Sequence, residues 1–241
     1  MIGIAEEFAR MLGDHYVAGH WASALPLSLL WLKGDKHVFR HSGNYKGPTW
    51  SWTSSGRAVT IEPFLARTDG HLSDCVVKCR VVEIRPKLLA ADAPYGAFVQ
   101  GTSLVLEGRL LRNAYLPPTY GPETVNIEGT DRQCSIRGAV KLDESEEDFH
   151  REGLKGRCPA LLEFCIMSGP DTWKEIHGLV LDPVAGKDLT FTRNTMFRIM
   201  HEVERLPGDD EYNKVSGVWL RDELERRNPF NGAPVVRVEL L

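Results

Sequence analysis

Apolar positions along this chain change their rhythm near residue 56. Before that point, Ile4, Phe8, Met11 and Leu12 recur at the spacing of one helical face, and Gly13 is placed to end the helix. The pattern predicts a second short helix over Tyr16 to Ala24, burying Val17, Trp21 and Leu25, before Pro26 interrupts it. Lys33 to Asn44 reads as a loop. Beyond residue 56, Val59 and Ile61 alternate with polar neighbours, Cys75 to Ile84 is rich in Val and Ile, and Phe98 to Leu111 carries Leu104, Leu106 and Leu110 at even spacing. Cys134 to Leu142, Ala160 to Met167, Ile176 to Leu181, Leu189 to Thr192 and Val235 to Leu240 are further strand candidates.

Three stretches depart from that rhythm. Asn113 to Gly129 holds Tyr115, Pro117-Pro118, Tyr120 and Gly121-Pro122, and is expected to be a long ordered loop or lid. Asp143 to Asp148 is an acidic run expected in a solvated loop. Lys214 to Arg227 has the spacing of a helix burying Val215, Val218, Trp219 and Leu224. The predicted fold is mainly β with α: a sandwich or barrel of roughly eight to ten strands. A small N-terminal helical cap and a helix near the C-terminus accompany it. Residues 1–55 form the cap and a Trp-rich segment, and residues 56–241 the β-rich part of one structural unit.

A chain of 241 residues buries enough surface to fold without disulfide or metal staples. The net charge of -4 argues against a nucleic-acid partner, whose phosphates demand basic residues. Five Cys, an odd number with no dense spacing, point to reduced thiols. Cys75 and Cys79 are expected on one face of one strand. No apolar run is long enough to span a bilayer, and the acidic, amphipathic start is unlike a signal peptide, so no membrane and a cytoplasmic location are expected.

Motifs with chemistry are scarce. The nucleophile elbow, the phosphate loop, the dinucleotide fingerprint and His-Glu-x-x-His are all missing from the sequence. Gly96 and Gly101 lack the Lys-Ser/Thr that a phosphate loop requires. His37 and His41 stand four apart in the expected loop, and no tight Cys/His cluster offers a metal site. No metal and no cofactor is expected.

Aromatic residues are concentrated at the start: four of six Trp fall within the first 52 residues. They occur in Tyr16-Val17-Ala18-Gly19-His20-Trp21, in Leu29-Leu30-Trp31 and in Tyr45-Lys46-Gly47-Pro48-Thr49-Trp50-Ser51-Trp52-Thr53-Ser54. That order resembles the segment just past the effector domain of fungal heterokaryon-incompatibility proteins. There a Tyr-x-Ala-Gly-x-Trp block and a Leu-Leu-Trp step precede Tyr-Arg-Ala-Pro-Ser-Trp-Ser-Trp-Ala-Ser. Tyr95 to Leu110, Gly178-Leu179-Val180-Leu181 and Phe191-x-Arg193 with Phe197 resemble later strands of that region. Lys46-Gly47, Thr53 and His20 depart from the family pattern. The match begins at residue 2, so the chain looks like the family's tail without its effector, and the resemblance assigns it no effector residue.

Two functions of different classes fit these features. The first is binding of an apolar small molecule, as in a cofactor-free cyclase or isomerase of fungal secondary metabolism. Such a site needs a dry aromatic pocket and one placed hydrogen-bond donor. His20, Tyr115 and Tyr120 are its candidate catalytic groups, and Trp21, Trp50, Tyr95 and Trp173 its candidate substrate-binding walls, in a pocket between cap and β domain. The second is a non-catalytic recognition or regulatory module with a protein partner. A filled core with an exposed apolar patch would favour the second. In either case Trp52 is expected to pack between the N-terminal helices and the sheet.

Overall fold

The computed structural model describes residues 2–38, 47–55, 57–61, 75–93, 95–112, 114–115, 124–127, 133–135, 160–168, 173–202, 228 and 230–241. The fold is mainly β with an N-terminal helix. Helix α1 (Ile2–Leu12) is followed by β1 (Tyr16–Val17), β2 (His20–Trp21), β3 (Trp31–Val38), β4 (Arg57–Ile61), β5 (Cys75–Val77), β6 (Arg80–Arg85) and β7 (Ser103–Leu111). Then come β8 (Ala114–Tyr115), β9 (Thr124–Ile127), β10 (Gln133–Ser135), β11 (Ala160–Ser168), β12 (Trp173–Pro183), β13 (Thr190–Glu202) and β14 (Val235–Leu240).

The largest sheet runs β5-β11-β12-β13-β14-β7-β6, and β7 also pairs with β11 through Leu161↔Leu111 and Leu162↔Leu110. That pairing closes β7, β14, β13, β12 and β11 into a small barrel, from which β6 and β5 extend as flanking strands. All its ladders are antiparallel except the short parallel contact of β13 with β14. Alternation sorts the side chains. Leu104, Leu106 and Leu110 of β7, Leu179 and Leu181 of β12, and Val238 and Leu240 of β14 enter the main core. Leu161, Ile176, Val180, Phe197 and Phe230 form a second cluster. Gly178 is required there, because a Cβ would stand 2.5 Å from Phe197 and closer still to the Leu162 carbonyl.

Residues on both sides of position 56 share one core: Val17, Ala18, Leu25, Leu29, Leu30 and Trp50 belong to the same cluster as the barrel leucines. No helix among the described residues is long and apolar enough to cross a membrane.

Several expectations are corrected. Tyr16 to Ala24 is a β-hairpin followed by a single 3-10 turn at Ala22–Ala24, not a helix. Ala18 (φ 46) and Gly19 (φ 91) form its two-residue turn, and positive φ at both positions is incompatible with a right-handed helix. Lys33 to Val38 belongs to β3, which pairs with β4, so the expected loop begins with a strand. Asn113 to Gly129 is no simple lid, because Ala114↔Ile127 and Tyr115↔Asn126 pair within a three-stranded sheet. The expected strand through Cys75 and Cys79 breaks at Lys78-Cys79, where both N–H groups donate to the Phe164 carbonyl at 2.7 and 3.2 Å. Cys79 consequently leaves the ladder that carries Cys75. The acidic run 143–148 and the expected helix 214–227 lie outside the described residues.

Candidate functional site

The Trp-rich segment folds into a clasp around the β1–β2 turn. The residue between the two Trp does most of the binding: Ser51 Oγ donates to the Ala18 carbonyl at 2.5 Å and accepts from Thr53 N–H at 3.1 Å. Trp52 Nε1 donates to the Gly19 carbonyl at 2.7 Å. Both turn carbonyls are therefore held by the Trp-Ser-Trp block. Gly19 must lack a side chain, since a Cβ would approach the Trp52 indole nitrogen to 2.5 Å. Ala18 keeps a left-handed conformation that costs an L-residue about 1–2 kcal/mol, offset by the Ser51 bond.

A second set of bonds ties the clasp to the barrel. Trp31 Nε1 donates to the Trp50 carbonyl at 3.1 Å. The Arg193 guanidinium of β13 lies 3.5 Å from the centre of the Trp31 ring, a cation–π stack, and donates to the Trp31 carbonyl. Arg193 N–H donates to Thr49 Oγ1 at 3.0 Å, and Thr49 in turn donates through its N–H and its hydroxyl to the Leu241 carbonyl. The blocks that carry the sequence resemblance thus meet in space: Ala18-Gly19, Trp31, Trp50-Ser51-Trp52 and Arg193. The later blocks pair with each other, Gly178 opposite Phe197 and Leu181 opposite Arg193.

His20 is buried in this assembly. Its Nδ1 is 3.0 Å from Ser28 Oγ, and its ring centre is 5.9 Å from that of Trp50. Burial first, and then the charge of Arg193, push its pKa down to about 4, with the Trp50 carbonyl acting weakly in the opposite sense. The imidazole is neutral near pH 7, and none of its charge is available to polarise a ligand.

The candidate residues separate on this geometry. His20 and Trp50 come together; Trp21 lies beside them on the hairpin, half-buried and packed edge-on against Tyr16 at 5.0 Å. Trp50 has none of its surface exposed. A side chain that no water-sized sphere can touch borders no cavity, open or closed, so in this structure Trp50 is core and walls no ligand site. Tyr95 sits half-buried in the connection between β6 and β7, Tyr115 in β8, and Trp173 at the start of β12, opposite Glu202. Tyr120 lies outside the described residues. Trp52 is corrected from a core position: it is 37% exposed, its ring laid over Gly19.

A cleft of about 180 Å³ lies elsewhere, between Arg112 and the β12–β13 turn carrying Lys187, Asp188 and Leu189. Arg112 bonds Asp188 across it at 3.1 Å. None of the candidate residues lines it. Among the described residues, no group of three metal-ligating side chains converges.

What sequence reasoning passed over is the outer face of α1. Ile4 is 64% exposed, Phe8 49%, Met11 68% and Leu12 60%, while Ala9 is the buried residue among the helix's described side chains. The helical spacing was legible; its direction was not, because periodicity shows that a face is apolar and not what covers it. No family model, curated protein or solved structure matches the chain.

Proposed function

We propose that this chain is a non-catalytic recognition module, cytoplasmic and of the fungal heterokaryon-incompatibility tail type, which docks a protein partner through α1. The observation that carries the reading is the open stripe of Ile4, Phe8, Met11 and Leu12. Positions i, i+4, i+7 and i+8 are the anchors of a helix that seats in an apolar groove. An 11-residue helix is marginal in water by itself, so one that leaves four large apolar side chains exposed gains stability when that face is covered. Covering the surface these four side chains still expose is worth roughly 1–2 kcal/mol each.

The small-molecule reading loses its support at the aromatic cluster. A cyclase needs a wall and a donor facing its ligand, whereas Trp50 and His20 face other parts of the protein. The resemblance supplies the partner to test, because α1 occupies the place that follows an effector domain in those proteins. Titration calorimetry of the chain with a recombinant heterokaryon-incompatibility effector domain is the experiment. Binding is expected, and Phe8→Glu with Met11→Glu is expected to weaken it at least tenfold without changing the melting temperature. Equal binding by parent and variant, or none by either, contradicts the proposal.

A further inference from the structure

Strand β5 is three residues long and, among the described residues, lies at the edge of the large sheet and is held in it by β11 alone. In their ladder Cys165 stands opposite Val77, and Met167 opposite Cys75. Cys75 and Cys165 are therefore diagonal neighbours on one face of the sheet. Both pack in the main core, but their access to solvent differs: Cys165 is wholly buried, whereas Cys75 is half-buried at the sheet edge. The thiols are within hydrogen-bonding reach, and the bond from Cys165 holds the Cys75 thiol below its ordinary range against the opposing effect of burial. One sulfur is thus reachable and activated, with a second, shielded sulfur beside it.

We propose that Cys75 and Cys165 form a redox-reactive dithiol, in which a hydroperoxide oxidises Cys75 and Cys165 then closes a disulfide between β5 and β11. In the first step the Cys75 thiolate attacks one peroxide oxygen. The O–O bond breaks, the sulfur becomes a sulfenic acid, and the other oxygen leaves as hydroxide or alkoxide, which takes up the proton that the Cys75 thiol released. In the second step the Cys165 sulfur attacks the Cys75 sulfur. The S–O bond breaks, the Cys165 proton goes to the departing oxygen, and water is released. Two thiols and one hydroperoxide give one disulfide, one water and one water or alcohol.

Diagonal neighbours across an antiparallel pair start farther apart than a relaxed disulfide allows, so β5 has to move toward β11 to close the bond. An edge strand of three residues, next to the break at Lys78-Cys79, can make that movement cheaply. A bond closed under such tension is readily reduced again, as regulatory disulfides are. Cys79 is the internal control. It is buried, and burial together with Glu107 and Glu163 pushes its thiol up to about 12, where a nucleophilic thiolate is scarce.

The proposal is independent of docking through α1. Its test is intact-mass and peptide mapping of the full chain after treatment with hydrogen peroxide and blocking of remaining thiols. The parent is expected to lose two hydrogen atoms and to yield one cross-linked peptide pair containing Cys75 and Cys165, restored by dithiothreitol. Cys165→Ala is expected to stop at a dimedone-reactive Cys75, Cys75→Ser to leave Cys165 unoxidised, and Cys79→Ser to behave as the parent. Circular dichroism confirms that each variant is folded, and Cys165→Ser replaces Cys165→Ala if that variant is not. A cross-link through another cysteine, or a Cys75 sulfenic acid that accumulates equally in parent and Cys165 variant, overturns the proposal.

Discussion

Helix α1 and the clasp that follows it are chain neighbours built from the same kind of side chain, used in opposite directions. In the clasp, Trp31 and Trp50 are wholly buried, and backbone carbonyls of the clasp are bonded to Ser51, to Trp52, to the Trp31 indole and to Arg193. In α1, four large apolar residues stand in water and Ala9 makes the inward contact. Aromatic content alone does not mark a ligand site. What separates internal from external use is burial: the Trp31 and Trp50 rings are enclosed and clasp carbonyls are bonded within the chain, while the Trp50 indole N–H is buried with no hydrogen-bond partner among the described residues. The comparison makes the clasp a stability element and leaves α1 as the exposed apolar surface on which the proposed docking rests.

The largest expected effect falls on the clasp. Trp50→Ala should destabilise the protein by about 3–5 kcal/mol in urea unfolding, as a large-to-small change in a filled core. Phe8→Ala should stay within about 0.5 kcal/mol of the parent. Similar losses at both positions would erase the distinction.

Acid should act on the clasp next. His20 titrates near 4 in the folded protein against an ordinary 6.5. Its folded pKa is depressed, so the unfolded chain takes up the proton first, and the buried neutral imidazole is fully compatible with folding only above about pH 6.5. Stability should fall by about 1.4 kcal/mol per pH unit between roughly 6.5 and 4, to a total near 3 kcal/mol. The parent should show that slope in unfolding free energies measured across the window, and His20→Gln should flatten it. An unchanged slope in the variant would assign the acid sensitivity to other groups.

A smaller change should follow from Ser51→Ala, which removes the bond to the Ala18 carbonyl and the cap on Thr53 N–H, for about 1–2 kcal/mol. Ala18→Gly should relieve part of that loss by about 1 kcal/mol, since glycine accepts positive φ. Unfolding of the single and double variants, combined as a cycle, checks whether the two sites are coupled. Strictly additive effects would mean that the serine does not support the strained turn.

The barrel was more legible in the sequence than the clasp. Val235 to Leu240 has clean alternation, and β14 occupies those residues. Leu189 to Thr192 marks only the start of β13, because the irregularity in its pairing with β12 at Val180/Leu181 shifts the apolar side of the strand beyond Arg193. Strand β3 was missed because Lys33, Asp35, Lys36 and His37 hide it from a hydropathy reading. The hairpin at Tyr16 to Trp21 was mistaken for a helix because Ala-Gly is a weak turn signal. Its conformation is held by Ser51, 33 residues further on, which local propensity cannot register. Trp50 and Trp52 have matching spacing for a strand, yet a 3-10 turn begins at Trp52 and sends the two indoles to different surroundings.

Amide hydrogen exchange, measured on the chain alone and again with a heterokaryon-incompatibility effector domain, compares the two regions in one experiment. Alone, residues 2–12 should exchange close to the free-peptide rate while the amides around Trp31 and Trp50 remain protected; with the domain present, protection should appear across residues 2–12 and leave the clasp unchanged. An α1 as protected as the clasp in the isolated chain, or one that gains no protection from the domain, would contradict the assignment of α1 as the docking surface.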